Sequence, residues 1–254
     1  TATATGLVPG SYRWRYRLVS EDGTATEWVD ASDADCHFMV TDIKVWGDDN
    51  EYGQLDIPIG LTEAVAVACG GQWNMALQPD GAVVAWGADY WGQCDGDGMT
   101  DVVAIGAGAV HGVALKSDGT VAAWGWCSQL INNTPVSGPM WVPEGLNNVV
   151  AISAGLQHSL ALRANGTVVA WGDNFNGQCN VPEGLSDVVA IEAGGWSSMA
   201  LKSDGTVVMW GYNYYGQGTV PEGLSNVVAM AAHRYHTMAL QADGTIVAWG
   251  VFQT

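Results

Sequence analysis

Residues 188–211 run apolar, polar, apolar, polar, apolar: VVAIEAG, GWSS, MALK, SDGT, VVMWG. The Asp-Gly pair between two runs rich in Val and Met marks a hairpin, because glycine reaches positive φ cheaply. The same order returns along the chain. First-and-second strand pairs are predicted over 65–77, 102–115, 149–162, 188–201 and 227–240. A third strand closes each unit on Trp-Gly, at Trp46, Trp86, Trp124, Trp171, Trp210 and Trp249, in steps of 40, 38, 47, 39 and 39 residues. Such a period signals a propeller or a stacked solenoid. VVAIEAG and TVVAWG are apolar at nearly every position, which predicts strands buried on both faces. The Trp-Gly tryptophans are expected between sheets. NYYGQ (213–217) and VPEGL (220–224) are read as a weaker outer strand and a connector. SQLINNTPVSGPMW (128–141) explains the long step, and its Asn, Pro, Ser and Gly predict an exposed loop. No stretch keeps a helical period.

Composition narrows the partners. With 26 acidic and 8 basic residues the net charge is -18. That charge repels phosphate backbones, so nucleic-acid binding is not expected, and it favours solubility or a basic partner. No apolar run has the length of a membrane helix, so insertion is not expected either. The opening TATATGLVPG looks like domain interior, which predicts a start inside a longer precursor. The five cysteines are odd in number and include no CxxC, which argues against a metal knuckle. Cys94 and Cys179 share one repeat position and read as small apolar filler. A Cys94–Cys127 disulfide is the alternative.

The unit VVAI-AG--HSLALK-DGTVVAWG-N--GQ--VPEGL, recurring five times over residues 43–250, resembles the regulator of chromosome condensation repeat in its short bacterial form. It is also similar to the repeat of secreted propeller-type beta-lactamase inhibitors. The resemblance implies an all-β fold, a β-propeller of four-stranded blades. Six blades are favoured, with five and seven as alternatives. The family's eukaryotic namesake serves a small GTPase as exchange factor and binds chromatin. Neither its basic tail nor its wedge hairpin is visible here, so that activity is not carried over. GLVPGSYRWRYRLVSEDGTATEW (6–28) resembles the later strands of a fibronectin type III domain, with Tyr12, Trp14 and Tyr16 alternating against Arg13, Arg15 and Arg17. Residues 1–40 are therefore expected to be such strands or a degenerate first blade, and 41–254 the propeller.

Catalytic chemistry finds little support. His111, His158 and His236 share a repeat position, but no nucleophile or orienting carboxylate stands at fixed spacing. Their simpler role is to bond a neighbouring loop. Asp95, Asp97 and Asp101 in QCDGDGMTD lack a full calcium-loop spacing. Glu144, Glu183 and Glu222 recur in every VPEGL connector, as turn residues do. No catalytic residue, cofactor or metal is expected.

Binding remains. The variable window between first and second strands holds Gln72, Trp73, Val110, His111, Gln157, His158, Trp196, Arg234, Tyr235 and His236. Aromatic and Arg side chains are the types that carry interface energy. A second variable set follows Trp-Gly: Tyr52, Tyr90, Trp91, Phe175, Tyr212, Tyr214 and Tyr215. The leading expectation is a non-catalytic bacterial module, secreted or at the cell surface, that binds a protein partner through one propeller face. A structural subunit that self-assembles by strand exchange or blade-face contacts, and a polysaccharide-binding propeller, are the alternatives.

Overall fold

The computed structural model describes residues 15–16, 29–30, 43, 45, 50–131 and 134–251. The chain divides into two compact units, Thr1–Phe38 and Met39–Thr254. In the first, strands β1 (Arg15–Tyr16) and β2 (Val29–Asp30) pair antiparallel. The rest of the fibronectin-like stretch, and the Trp46 strand, lie outside the described residues.

The second unit is all β. Its first sheet joins β3 (Ala66–Cys69), β4 (Trp73–Leu77) and β5 (Val83–Gly87). The second joins β6 (Val102–Ala107), β7 (His111–Lys116), β8 (Val121–Ile131) and β9 (Thr134–Pro139). The third holds β10 (Val149–Ala154), β11 (His158–Arg163) and β12 (Val168–Gly172). The fourth holds β13 (Val188–Ala193), β14 (Ser197–Lys202) and β15 (Val207–Gly211). The fifth holds β16 (Val227–Ala232), β17 (His236–Gln241) and β18 (Ile246–Gly250). All neighbours within a sheet run antiparallel.

The Asp-Gly hairpins take a three-residue form. In the fourth sheet the Gly205 N–H donates to the Lys202 carbonyl at 2.9 Å, and the Lys202 N–H to Thr206 at 2.9 Å. Only Gly205 has positive φ, at 80°. Asp204 Oδ1 accepts from the Thr206 amide and hydroxyl, at 3.0 and 2.6 Å. This is a type I turn followed by one left-handed residue. The glycine carbonyl then takes the first amide of the next sheet, as Val227 N–H does with Gly205 at 3.1 Å.

The core lies between sheets. Trp124 packs with Trp73, Met75 and Ala114, Trp171 with Val113, Leu115 and Cys127, and Trp210 with Leu160 and Leu162. Each tryptophan thus covers the preceding sheet. The second strands β4, β7, β11 and β14 are buried at nearly every residue, whereas β17 leaves Met238 40% exposed. First strands are not buried on both faces, contrary to the apolar pattern: Val103, Val150 and Val189 are each 55% exposed. The first strands of all five sheets end at one cavity of about 660 Å³, which Cys69, Ala107, Ala154, Glu192 and Ala232 help to line.

Two strand expectations are corrected. Among the described residues the outer strand is missing from all but the second sheet. NYYGQ instead forms turns, with Tyr215 N–H on Gln217 Oε1 at 3.0 Å and Gly218 N–H on Asn213 Oδ1 at 2.8 Å. Side chains there take the backbone groups that a ladder would need. The 128–141 insert is the converse case. It is not a loop but the hairpin of β8 and β9, in register from Trp126↔Pro139 to Ile131↔Thr134. Pro135 and Pro139 are tolerated because β9 is an edge strand.

Candidate interaction face

The variable windows begin where the first strands end, and backbone bonds tie them in series. Gly71 N–H donates to Ala109 at 3.3 Å, Ala109 to Leu156 at 2.9 Å, Leu156 to Gly195 at 3.2 Å and Gly195 to His233 at 3.5 Å. This spacing leaves no room for a β-carbon. One built on Gly155 would lie 2.4 Å from the Gly194 carbonyl, and one on Gly108 2.6 Å from that of Gly155. At the equivalent place in the fifth sheet, which no further sheet follows among the described residues, stands His233, and it is exposed.

The shared His position belongs to this scaffold in two sheets. His111 Nε2 meets Ser159 Oγ at 2.9 Å, and His158 Nε2 meets Ser198 Oγ at 3.0 Å, each in the following sheet. Trp73 fills the place in the first sheet, donating from Nε1 to the Gly108 carbonyl at 3.0 Å. Burial lowers the His111 pKa to about 3 and that of His158 to about 4. Trp73, His111 and His158 are 1%, 0% and 0% exposed. They are therefore removed from the recognition surface: Trp73 Nε1 and both histidine Nε2 atoms bond the neighbouring sheet, and the two buried Nδ1 atoms have no hydrogen-bond partner among the described residues.

A second tie joins each Trp-Gly to the preceding Gly-Gln. Trp86, Trp124, Trp210 and Trp249 donate from Nε1 to the carbonyls of Gln54, Gln93, Gln178 and Gln217, at 3.0, 2.6, 2.8 and 2.8 Å. Ser198 Oγ and Thr237 Oγ1 add a donor to Gln178 and Gln217. Trp171 differs. The insert replaces the Gly-Gln loop before it, and its buried Nε1 has no hydrogen-bond partner among the described residues.

The remaining window residues reach the surface. Gln72 and Arg234 are exposed; Val110, Gln157, Trp196, Tyr235 and His236 are partly buried. The second variable set is also at the surface, with Tyr90 76%, Trp91 50%, Phe175 49% and Tyr214 80% exposed. The two sets, separate in sequence, meet in space. Trp196 contacts Tyr212 at 5.8 Å and Tyr235 at 6.5 Å, and Tyr215 contacts Tyr235 at 5.1 Å, between ring centroids. Tyr214 joins through Tyr215 at 5.1 Å. The Arg234 guanidinium lies 4.9 Å from the Trp196 ring and 5.8 Å from that of Tyr235. One aromatic patch with a cation on it thus spans the fourth and fifth sheets, beside the cavity that Arg234 and Tyr235 also line.

The first strands differ at one register position, and in the fourth sheet its residue lines the cavity. Ala68, Gly106, Ser153 and Ala231 stand opposite Met75, Val113, Leu160 and Met238; in the fourth sheet Glu192 stands opposite Met199. Burial pushes the Glu192 carboxyl up to about 7.

The regulator of chromosome condensation (RCC1) repeat model matches residues 149–178 and 188–217. The solved fold of Prp20p from Saccharomyces cerevisiae superposes with a TM-score of 0.58 at 24% identity, covering 73% of this chain and 56% of that one. Two of the sheet-forming units, residues 149–178 and 188–217, thus match the regulator of chromosome condensation repeat. Yeast RCC1 (Prp20) bound to Kap60 is similar at 26% identity and TM-score 0.57, covering 73% and 55%. The ectodomain of the Physcomitrella patens receptor kinase CR4 is similar at 25% identity and 0.55, covering 71% and 50%. The chain thus spans about half the length of these proteins. No curated protein sequence matches it. The fold is an all-β propeller type.

Within these repeats the other candidates resolve as scaffold. Asp101 matches Asn148, Asp187 and Asn226, all with positive φ, at 62°, 53°, 60° and 54°. Asn and Asp tolerate that region best after glycine. Asp97 Oδ1 accepts from the Ala85 amide at 3.2 Å. Among the described residues no three His, Cys, Asp or Glu are placed to hold a metal. Glu144, Glu183 and Glu222 are exposed in turns closed by Leu-to-Pro bonds of 3.2 Å. Cys94 is a free thiol, so the Cys94–Cys127 bridge does not form. Among the described residues no helix is long and apolar enough to cross a membrane.

Sequence reasoning missed two features of the face. Trp126 opens the insert and packs on Trp91 at 5.4 Å. It also missed that the two variable sets are contiguous, for which a signal existed. In an antiparallel pair the second strand starts where the third ends, as in Ser197↔Gly211. The Tyr212 N–H then bonds the Trp196 carbonyl at 2.9 Å.

Proposed function

We propose that this propeller is a non-catalytic interaction module that binds a protein partner through the face carrying the variable windows. The observation that carries this reading is the joined patch of Trp196, Tyr212, Tyr214, Tyr215 and Tyr235 under Arg234. These side chains offer large, stiff contact area at low entropy cost and match the residue types that dominate interfaces. The charge of -18 selects a partner with a basic surface. Support by analogy comes from the yeast RCC1 (Prp20) repeat protein, solved in complex with Kap60. The likeness to a receptor-kinase ectodomain supports an extracellular or cell-surface setting.

Selection of a displayed protein-fragment library on the immobilised propeller tests this. Binders with an excess of Lys and Arg are expected. Trp196→Ala with Tyr214→Ala should weaken their capture at least about tenfold, with circular dichroism unchanged. Capture that survives both substitutions overturns the assignment.

A second reading has its own observation. The third strands β5, β12, β15 and β18 have no outer neighbour among the described residues, whereas β8 pairs with β9. A subunit that assembles by strand exchange would use those edges. Sedimentation as a monomer at high concentration would overturn it.

A further inference from the structure

The cavity at the end of the first strands has a shape and a charge that the aromatic patch does not explain. Its volume, about 660 Å³, lies in the range of ligand pockets. Its wall is mostly small: Gly70, Gly71, Ala107, Gly108, Ala109 and Ala154. The titratable and charged groups lining it are Glu192, Cys69, His233, Arg234, Tyr235 and His236. Arg234 lies against the Trp196 and Tyr235 rings, and His233 stacks on His236 at 5.2 Å. Glu192 therefore brings the one carboxylate into the described lining. At the same register position the other sheets carry Ala68, Gly106, Ser153 and Ala231, none of which lines the cavity.

We propose that this cavity receives the cationic end of a basic side chain, an ammonium or a guanidinium, held by the Glu192 carboxylate. The proposal rests on the reading of a protein partner and names the group the partner inserts. Three observations converge on it. The cavity opens among the windows, since Gly194, Gly195, Arg234 and Tyr235 line it, so a side chain entering it comes from a protein seated on the aromatic patch. Eleven of the lining residues are Gly or Ala, whose backbone and methyl groups suit the alkyl stem of Lys or Arg. The carboxylate pays a burial cost that no charge or hydrogen bond among the described residues offsets, since burial alone accounts for its raised titration. A cation supplies what is missing.

Carbon-13 NMR of the Glu192 side-chain carboxyl is the direct test, the resonance being identified by its loss in Glu192→Gln. N-acetyl-lysine methylamide, N-acetyl-arginine methylamide and the neutral N-acetyl-norleucine methylamide are the probes. One or both cations should lower the Glu192 titration midpoint by about one pH unit at saturation, as an opposite charge nearby does. Norleucine should leave it unmoved. The cation that acts identifies the inserted side chain. A midpoint moved by neither cation, or equally by norleucine, overturns the proposal. Trp196→Ala with Tyr214→Ala separates the two readings. If the cations still move Glu192 in that variant while library binders keep their capture, the face assignment fails and the cavity stands. If capture is lost but no cation moves Glu192 even in the unsubstituted protein, the cavity assignment alone fails.

Discussion

Gly155 is required by its neighbour, not by its own turn. Its hydrogen faces the Gly194 carbonyl and the His158 ring, and a β-carbon would sit 2.4 Å from the first and 2.3 Å from the second. Gly155→Ala should therefore cost about 1–3 kcal/mol in urea unfolding. His233→Ala, at the same repeat position with no sheet following it among the described residues, should stay within about 0.5 kcal/mol. The buried histidines set an acid limit. Their folded pKa values, about 3 and about 4, lie below the ordinary 6.5. The unfolded chain thus takes up protons first as pH falls. Stability should drop from pH 6.5 towards pH 4, by on the order of 3 kcal/mol for His158 alone, as read from urea midpoints across pH. Glu192 acts in the opposite sense. Raised from 4.5 to about 7, it favours the fold below pH 4.5 and loses that contribution as pH rises through 7. Glu192→Gln should then be more stable than the parent at pH 8, by about 2 kcal/mol, and equal to it at pH 4.5.

Among the elements, the Trp-Gly strand offers an internal control. Trp210 donates to Gln178, whereas Trp171 is as deeply packed but donates to no described residue. Trp210→Phe should cost about 1 kcal/mol more than Trp171→Phe, the worth of one hydrogen bond, in paired thermal melts. The hairpins and the repeat were legible because Asp-Gly and Trp-Gly act locally, through a turn residue and a packing residue. What escaped depends on partners far away in sequence. Thr134–Pro139 has the composition of a loop and became a strand because the edge of β8 was free to pair. VVAIEAG is as apolar as a central strand, yet Val189 faces outward. The windows were legible as variable. Which of their residues were committed to the next sheet was not, because His158 shows its role only when Ser198 is beside it.

Over the repeats, the atoms that hold sheet to sheet are separate from those that the proposed recognition would use. Backbone amides, indole N–H groups and the His–Ser bonds hold sheet to sheet, and each reaches only its neighbour. Exposed rings and the surplus of negative charge are left for contact with other molecules. Association with a basic partner should consequently slow as salt is raised from 0.05 to 0.5 M, on the order of tenfold or more in the on-rate, with dissociation changed less. Stopped-flow or surface-capture kinetics across salt would read this directly.

The β8–β9 hairpin shows how this architecture tolerates novelty. The Trp126 N–H bonds the Val110 carbonyl at 2.9 Å and the Met140 N–H bonds the Gly125 carbonyl at 2.9 Å. These two bonds seal the base of the hairpin against its sheet, and Met140 plugs the core below it. Cys127, just beyond that seal, still packs in the core with Trp171, and its partner in register is Gly138. The next pair out, Ser128 and Ser137, is thus a ready graft point, where a foreign hairpin or epitope can be mounted at the rim of the propeller while the repeats beneath it keep their own contacts.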